Sequence, residues 1–298
     1  MESSPPISPN GAASVYYNEE TKTFFPTNPI RSITPSYLTV AAQEPSALAS
    51  PQKLLVILDL NGTLFYRNKN NKRNVTSRPY LQEFLDFIFE SCRVMVWSSA
   101  QPHSVETMLS YGFDQRSSLL DRVWTREDFR LPRSDYIKKV LTIKDLEFVW
   151  EGIELEKKRA REGKRRSQQQ IFSKEEKIAE TVASLEVLDE KYSIHFDQTN
   201  TVLIDDSHDK SQLQPHNCLV LRDFDENLAR AGNDDELLRV KQYLQKLVYQ
   251  SNVSAYMSRQ PYDSNALLED PAPRKLANRR SSTKDHFVIV DPVADHLK

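Results

Sequence analysis

The chain has 298 residues, 39% of them hydrophobic, and a formal net charge of −2, which suits one large or two small globular domains. This charge gives no reason to expect a nucleic-acid or membrane partner, and no apolar run is long enough to span a bilayer. Cys92 and Cys218 have no second Cys or His at metal spacing, which argues against disulfides and zinc and favours a reducing compartment. The first residues resemble neither a secretory signal nor an Arg-rich presequence, so we expect a nuclear or cytoplasmic rather than a mitochondrial location.

Both ends of the chain differ in composition from its middle. Residues 1–50 are rich in Pro, Ser and Thr without periodic apolar residues, so we predict a mostly disordered tail. The folded domain is predicted over 51–257, and a second, mostly disordered tail over 258–298. Within the domain, residues 151–197 are strongly charged and predict a helical insertion, which is a candidate surface for a protein partner.

The first predicted strand, Leu54–Leu58, is entirely apolar and is followed directly by Asp59. Such a run suits a strand buried on both faces of a parallel sheet, and a carboxylate at its end lies where open α/β sheets bind ligands. An Asn61-Gly62 turn and Thr63 come next. An ordinary strand ending in a turn explains this stretch equally well, since Asp and Asn are common in turns.

Further predicted strands alternate with helices. They are a helix begun by Arg78-Pro79, a strand Arg93–Trp97, a helix from Pro102 to Gly112, a short strand Val123–Trp124, a helix over 134–150, strands Thr201–Asp205 and Cys218–Leu221, and a final helix capped by Asp234. This alternation predicts a doubly wound, Rossmann-like α/β fold with a mainly parallel sheet.

Right-handed crossovers bring the carboxyl ends of all these strands to one edge of the sheet. The side chains expected there are Asp59, Asn61, Thr63, Ser98, Asp205 and Asp206. Acidic groups that converge in this way repel one another unless a cation lies between them, and oxygen ligands without His or Cys favour Mg²⁺. A lysine from the predicted helix, namely Lys138, Lys139 or Lys144, adds the positive charge that a phosphate needs. Together these groups indicate a phosphoryl-transfer site.

These residues resemble a known family. Asp59-Leu-Asn-Gly-Thr63, Ser98, Lys144 and Asp205-Asp206 are similar to motifs I to IV of the haloacid dehalogenase superfamily. Within that superfamily, Arg78-Pro-Tyr-Leu-Gln-Glu-Phe-Leu85, Val94-Met-Val-Trp-Ser98 and Ile143-Lys-Asp-Leu146 resemble the NLI-interacting-factor-like phosphatases, which act on the C-terminal domain of RNA polymerase II. The resemblance covers roughly residues 52–250 apart from the insertion, and four motifs in the right order are a specific signal.

The resemblance implies an aspartyl-phosphate mechanism with Mg²⁺ as cofactor and a phosphoprotein or phosphopeptide as substrate. Asp59 is the implied nucleophile, and Lys144 screens the charge that develops beside it. The implied metal ligands are Asp59, the Asn61 carbonyl, Asp206 and, directly or through a ligand, Asp205; the implied phosphate-binding groups are Thr63, Ser98 and Lys144.

One position departs from the family pattern. The family's phosphatases carry Asp where this chain has Asn61, and that Asp protonates the leaving alkoxide and later activates water. Three interpretations stay open: a slow phosphatase that uses another base, an enzyme restricted to good leaving groups that stalls as the aspartyl phosphate, and a catalytically dead adaptor. Intact motifs II to IV favour residual activity, and a role like that of the family's mitochondrial translocase receptor is least favoured.

The segment Lys157–Arg166 holds seven basic residues and one acidic residue. Such a cluster is typical of a nuclear localisation signal or a nucleic-acid patch. A solvated helical face balanced by the nearby glutamates explains it equally well.

Overall fold

The computed structural model describes residues 15–18, 23–26, 32–68, 74–129, 131, 133–138, 140–171 and 193–268. The strands are β1 Val15–Asn18, β2 Thr23–Pro26, β3 Leu54–Leu58, β4 Phe65–Arg67, β5 Val75–Ser77, β6 Cys92–Trp97, β7 Val123–Trp124, β8 Thr201–Asp205 and β9 Cys218–Val220. The helices are α1 Pro35–Ala41, α2 Leu81–Ser91, α3 Pro102–Gly112, α4 Leu146–Ile171, α5 Glu226–Ala231, α6 Glu236–Leu247 and α7 Val253–Arg259.

A five-stranded sheet in the order β7-β6-β3-β8-β9 forms the centre of the molecule, and all of its neighbouring strands run parallel. Strand β3 lies in the middle, with Leu58 opposite Val96 of β6 on one side and Ile204 of β8 on the other. The strand order reverses at β3, and ligands of open α/β sheets bind at such a switch point. The predicted doubly wound parallel fold is therefore confirmed.

Helices cover both faces of the sheet, so β3 contributes to two hydrophobic cores. Leu54, Val56 and Leu58 pack in a cluster with apolar residues of α2, α3, α6 and α7. Leu55 and Ile57 point the other way and pack in a second cluster with apolar residues of α4. This arrangement explains why every residue of β3 is apolar, because neither face of the strand contacts water.

A small hairpin follows β3. Strands β4 and β5 pair antiparallel, with Phe65 opposite Ser77 and Arg67 opposite Val75. Residues 69–73, between the two strands, lie outside the described residues.

The prediction of a disordered tail over residues 1–50 is wrong for α1. Thr34 caps this helix, and Tyr37 is buried, donating a hydrogen bond of 2.9 Å to the Asn217 side chain and accepting one from the His216 amide. A single aromatic residue in a Pro- and Ser-rich segment gave no sign of this, because its partners lie about 180 positions away. Strands β1 and β2 also pair within the same predicted tail.

The boundaries at 257 and 151 need correction as well. The Tyr262 hydroxyl donates to Glu236 at 2.6 Å, so chain beyond residue 257 still packs on the domain. Ile153 of α4 is completely buried in the second core, so any insertion begins after it rather than at 151. Residues 172–192, in the middle of the predicted insertion, are outside the described part of the chain.

Three predicted helix starts differ from the structure. The predicted helix over 134–150 begins only at Leu146, because the guanidinium of Arg126 binds the backbone carbonyls of Asp135, Tyr136 and Lys138 and holds that stretch in turns. The predicted helix at Arg78-Pro79 begins at Leu81. Asp235 rather than Asp234 holds the cap position of α6, but it is the Asp234 carboxylate that accepts the Glu236 amide, at 2.8 Å, and also pairs with Arg78. A further helix, α7, follows α6.

Removing the Tyr37 hydroxyl tests whether α1 belongs to the folded domain. Tyr37→Phe leaves Asn217 Oδ1 without its donor and the His216 amide without its acceptor, so we expect the free energy of unfolding in urea to fall by about 1–2 kcal/mol. Leu38→Ala, on the exposed side of the same helix, should change it by no more than about 0.5 kcal/mol. Equal, negligible losses for both variants would mean that α1 does not pack on the domain.

Candidate active site

The polar residues predicted at the sheet edge follow three neighbouring strands. Asp59 comes directly after β3, Asp205 ends β8 with Asp206 after it, and Ser98 comes directly after β6. Asp59, Ser98 and Asp205 are all buried at 1% exposure or less, and Asp206 is partly exposed. One carboxylate oxygen of each of the three aspartates lies within 4.8 Å of the others.

Lys144 places its ammonium between two of these carboxylates. This residue is completely buried, and its Nζ lies 2.9 Å from Asp59 Oδ1 and 2.5 Å from Asp205 Oδ2. The next residue, Asp145, accepts the Glu147 amide in the first turn of α4 and the side-chain amide of Gln214. These hydrogen bonds of Asp145 fix the position of Lys144, which lies two residues before the start of α4 and reaches the cluster from there.

The two rival lysines are not part of this cluster. Lys138 pairs with Asp135 at 3.2 Å on a half-exposed turn. Lys139 lies outside the described residues.

A second lysine, which the sequence analysis missed, also reaches the carboxylates. Lys210 lies in a short 3-10 helix, His208–Ser211, and its Nζ is 2.9 Å from Asp205 Oδ1, 3.2 Å from Asp206 Oδ1 and 3.7 Å from Asp59 Oδ2. Its backbone carbonyl accepts the Lys144 amide at 2.7 Å, which ties the two lysine segments together. The available signal was its spacing of four residues from Asp206, which puts the two side chains on one side of a helical turn.

The lysines and carboxylates shift one another's acidity. Burial alone raises the pKa of Asp205, but the ammonium groups of Lys144 and Lys210 outweigh it and lower that pKa to about 2. For Asp206, burial raises the pKa to about 6, helped by the charges of Asp59 and Asp205 and opposed by Lys210. The same carboxylates raise the pKa of Lys210 above its ordinary range despite its burial. The surroundings therefore favour the ionised form of Asp205 and disfavour that of Asp206.

The remaining predicted residues lie at the same edge with different contacts. Thr63 is buried, and its hydroxyl donates weakly to Asp59 Oδ2 at 3.4 Å and to Asp206 Oδ1 at 3.3 Å. Ser98 accepts a hydrogen bond from the Ala100 amide rather than contacting the aspartates. Asn61 is exposed at the start of the turn.

The turn that carries Asn61 requires glycine at the next position. Gly62 has φ +88°, and a Cβ there would lie 2.6 Å from a carboxylate oxygen of Asp206 and 2.8 Å from one of Asp223. Its carbonyl accepts the Phe224 amide at 2.6 Å, which joins the turn to the loop after β9. The absence of a side chain therefore lets Asp206 approach the turn closely.

Arg78, previously interpreted only as the start of a helix, supports this turn from behind. Its buried guanidinium donates to the Thr63 carbonyl at 2.9 Å, to the Arg222 carbonyl at 3.0 Å and to the Asp234 carboxylate at 2.9 Å. It thus connects the segment after β3, the loop after β9 and the start of α6. No sequence spacing indicated this role, because Asp234 lies 156 residues away.

The donor set suits a divalent cation of the Mg²⁺ type, since the available ligands are hard carboxylate oxygens. Both oxygens of Asp205 already have partners, Lys144 on one and Lys210 with the Ser207 amide on the other. Asp59 Oδ2 and Asp206 Oδ1, which face Thr63 and Lys210, have longer contacts with these two side chains, of 3.2–3.7 Å. These two carboxylates are therefore the better ligands, and Asp205 is better suited to anchoring the lysines.

Comparison with known proteins identifies the group to which this arrangement is related. The family model of the NLI interacting factor-like phosphatases matches residues 54–159 and 153–254. A Schizosaccharomyces pombe protein, described as an uncharacterized FCP1 homology domain-containing protein, is 33% identical over 236 residues, covering 74% of this chain and 83% of its own length. Within the described residues, no helix is both long and apolar enough to cross a bilayer.

More distant relatives include the ubiquitin-like domain-containing CTD phosphatase 1 of Xenopus tropicalis, 23% identical over 209 residues and 68% of this chain. The chain spans about half, 52%, of that protein's length. A solved structure of Fcp1, titled as an essential RNA polymerase II CTD phosphatase, is 15% identical and overlays 58% of this chain and 42% of its own with a TM-score of 0.32.

Two glycine substitutions test whether the turn must lack a side chain. Gly62→Ala forces alanine into a left-handed conformation and pushes Asp206 away, so we expect a loss of about 3 kcal/mol or more in unfolding free energy. Gly232→Ala is the matched control, because Gly232 has φ +65° but no atom within 4 Å of its Cβ position, and should cost about 1 kcal/mol. Equal losses in urea unfolding would show that Asp206 does not crowd the turn.

Arg78→Met tests the buried support of the site. It leaves the Asp234 carboxylate buried without its cation, so we expect a loss of about 3–5 kcal/mol in unfolding free energy. Arg116→Met removes an arginine whose partner Asp86 is exposed, and should cost less than about 1 kcal/mol. Similar losses in the two variants would contradict the supporting role of Arg78.

Proposed function

Because the chain belongs to the NLI interacting factor-like phosphatase family, within the haloacid dehalogenase type of fold, we propose that it is a Mg²⁺-dependent phosphatase of phosphoserine or phosphothreonine in proteins. The observation that carries this proposal is the buried Asp59 carboxylate, held at Oδ1 by Lys144 and left with only long contacts at Oδ2. A carboxylate oriented in this way can use one oxygen to attack phosphorus and the other to bind a cation.

In the proposed first step, one carboxylate oxygen of Asp59 attacks the phosphorus atom, a new oxygen–phosphorus bond forms, and the bond to the substrate hydroxyl oxygen breaks. Lys144 keeps the carboxylate in one orientation and balances the charge of the incoming phosphate. In the second step, the oxygen of a water molecule attacks the aspartyl phosphate, which releases inorganic phosphate and regenerates the Asp59 carboxylate.

Other groups at the edge supply binding rather than bond making. The hydroxyls of Thr63 and Ser98 are the candidate donors to the phosphoryl oxygens, since both lie buried at the strand ends. Asp59, Asp206 and the backbone carbonyl of Asn61 are the candidate ligands of Mg²⁺, with Asp205 as the anchor of the two lysines. The cation's contribution is to stabilise negative charge on the transferring phosphoryl group.

Asn61 determines how fast this chemistry runs. An amide does not exchange a proton at neutral pH, so the departing alkoxide must take its proton from solvent and the attacking water lacks a positioned base. General acid–base catalysis contributes about 10²–10⁴-fold in enzymes, so turnover on alkyl phosphates is expected to be slow. Substrates with good leaving groups are affected less in the first step.

The same residue favours a second candidate function, namely a phosphopeptide-binding adaptor in which the cleft binds without turnover. The intact Lys144 and the buried hydroxyls support binding of a phosphate even where proton transfer fails. For either function we propose a nuclear or cytoplasmic location. The translocase-receptor role stays the least favoured.

A phosphatase assay on two substrates separates these functions. Wild type should hydrolyse an aryl phosphate in Mg²⁺, and Asp59→Asn should abolish the activity because the nucleophile is lost. Asn61→Asp should raise kcat/KM on a phosphoserine peptide by about 10²-fold, and raise it less on the aryl phosphate, because kcat/KM reports the first step and a phenolate leaves without protonation.

Two controls accompany the assay. Asn227→Asp adds the same charge at an exposed helical position and should leave both rates unchanged. Asp86→Asn changes an exposed aspartate and should retain wild-type activity. Wild-type and Asn61→Asp proteins that both fail to exceed the Asp59→Asn background, while still binding the phosphopeptide, would favour the adaptor.

A further inference from the structure

Lys210 differs from Lys144 in how it is held. Lys144 has no exposed surface, whereas 15% of the Lys210 side chain is exposed at the mouth of the cluster. The backbone carbonyl of Lys210 accepts a hydrogen bond from the Lys144 amide, which fixes the backbone at this position. Any movement of the ammonium must therefore come from the flexible side chain. Lys210 can therefore withdraw into water, whereas Lys144 cannot.

The Lys210 ammonium contacts the carboxylates of Asp59 and Asp206, which are the two candidate ligands of a divalent ion, as well as that of Asp205. It contacts Asp205 Oδ1 at 2.9 Å, Asp206 Oδ1 at 3.2 Å and Asp59 Oδ2 at 3.7 Å. The three aspartates are also the group of described residues whose oxygens converge closely enough for a metal ion. The side chain of Lys210 and a divalent cation thus require the same space and the same negative charge.

We propose that Lys210 is a built-in cation that competes with Mg²⁺ for these carboxylates, so that a divalent ion binds only when the Lys210 ammonium moves out toward solvent. The inference rests on the divalent-cation site of the proposed function. Three carboxylates with two lysines retain one net negative charge, whereas removal of Lys210 would leave two and attract a divalent ion more strongly.

Lys210 also stabilises the cluster in the protein without metal. The Lys210 ammonium neutralises part of the repulsion between Asp206 and its acidic neighbours, so the cluster keeps its geometry before any cation arrives. The same contacts weaken the binding of a metal ion, because the incoming ion must break them. Lys210 therefore sets the Mg²⁺ concentration at which the site fills.

Calorimetric titration with Mg²⁺ alone, without substrate, tests this competition. Lys210→Met should bind Mg²⁺ with a Kd lower by about tenfold or more, because one positive charge is removed from among the ligand oxygens. Lys210→Arg keeps the charge and should bind about as weakly as wild type. Lys138→Met removes a lysine that pairs with Asp135 outside the cluster, and should match wild type.

Thermal unfolding supplies a second measurement, which remains informative if Lys210→Met is less stable than wild type. In EDTA, Lys210→Met should have a lower Tm than wild type, and saturating Mg²⁺ should raise its Tm by more than it raises that of wild type. If Lys210→Met binds Mg²⁺ no more tightly than wild type, or gains no additional Tm, the competition is refuted. The competition is also refuted if neither protein binds Mg²⁺, because no divalent site then exists.

The outcome is separable from that of the phosphatase assay. Tighter Mg²⁺ binding by Lys210→Met in a protein without phosphatase activity would support the inference and contradict the proposed enzyme. Hydrolysis by a wild type whose Mg²⁺ affinity does not depend on Lys210 would contradict the inference alone.

Discussion

The arrangement of the candidate site depends on one buried ion pair network, that of Lys144 with Asp59 and Asp205. An ammonium with no exposed surface is stable only if carboxylates replace its hydration shell, and these two lie 2.9 and 2.5 Å away. The contact joins the ends of two neighbouring strands to the segment before α4, which comes from a distant part of the chain. Any shift of one strand end would leave a buried charge without its partner, so the network selects a single geometry of the edge.

The hydrophobic architecture explains why this network forms where it does. Strand β3 is covered by helices on both faces, so only its ends are open to polar groups, and the carboxyl end faces the switch point. Gly62 and Arg78 then hold the chain after β3 close to Asp206 and to the loop after β9. Core packing therefore locates the site, and the backbone contacts of the turn determine its dimensions.

Much of this was predictable from local patterns, and the failures have a common physical cause. Buried strands, the helices α2 and α3, and the edge position of Asp59 and Asp205 follow from periodicity and from the parallel topology. Lys144 was identified by its sequence context even though the helix expected to carry it starts two residues later.

The residues that were missed or misplaced depend on partners that sequence distance conceals. Tyr37 is ordered by Asn217, and Arg78 is fixed by Asp234. Lys210 reaches Asp59 only because a short 3-10 helix turns it back over the strand end. Periodicity carries no information about such contacts, because each contact involves a single residue on each side.

Asn61 lies apart from the buried charge network of the candidate site. Its side chain is exposed, and the buried contacts among Asp59, Lys144 and Asp205 do not involve it. An exchange between Asp and Asn at this position would therefore leave the contacts of Asp59 with Lys144 in place and, under the proposed function, change only the acid–base chemistry. Under the proposed function, loss of the acid would slow the release of poor leaving groups without removing phosphate binding, so the choice between a slow enzyme and an adaptor depends on this one side chain at the mouth of the site.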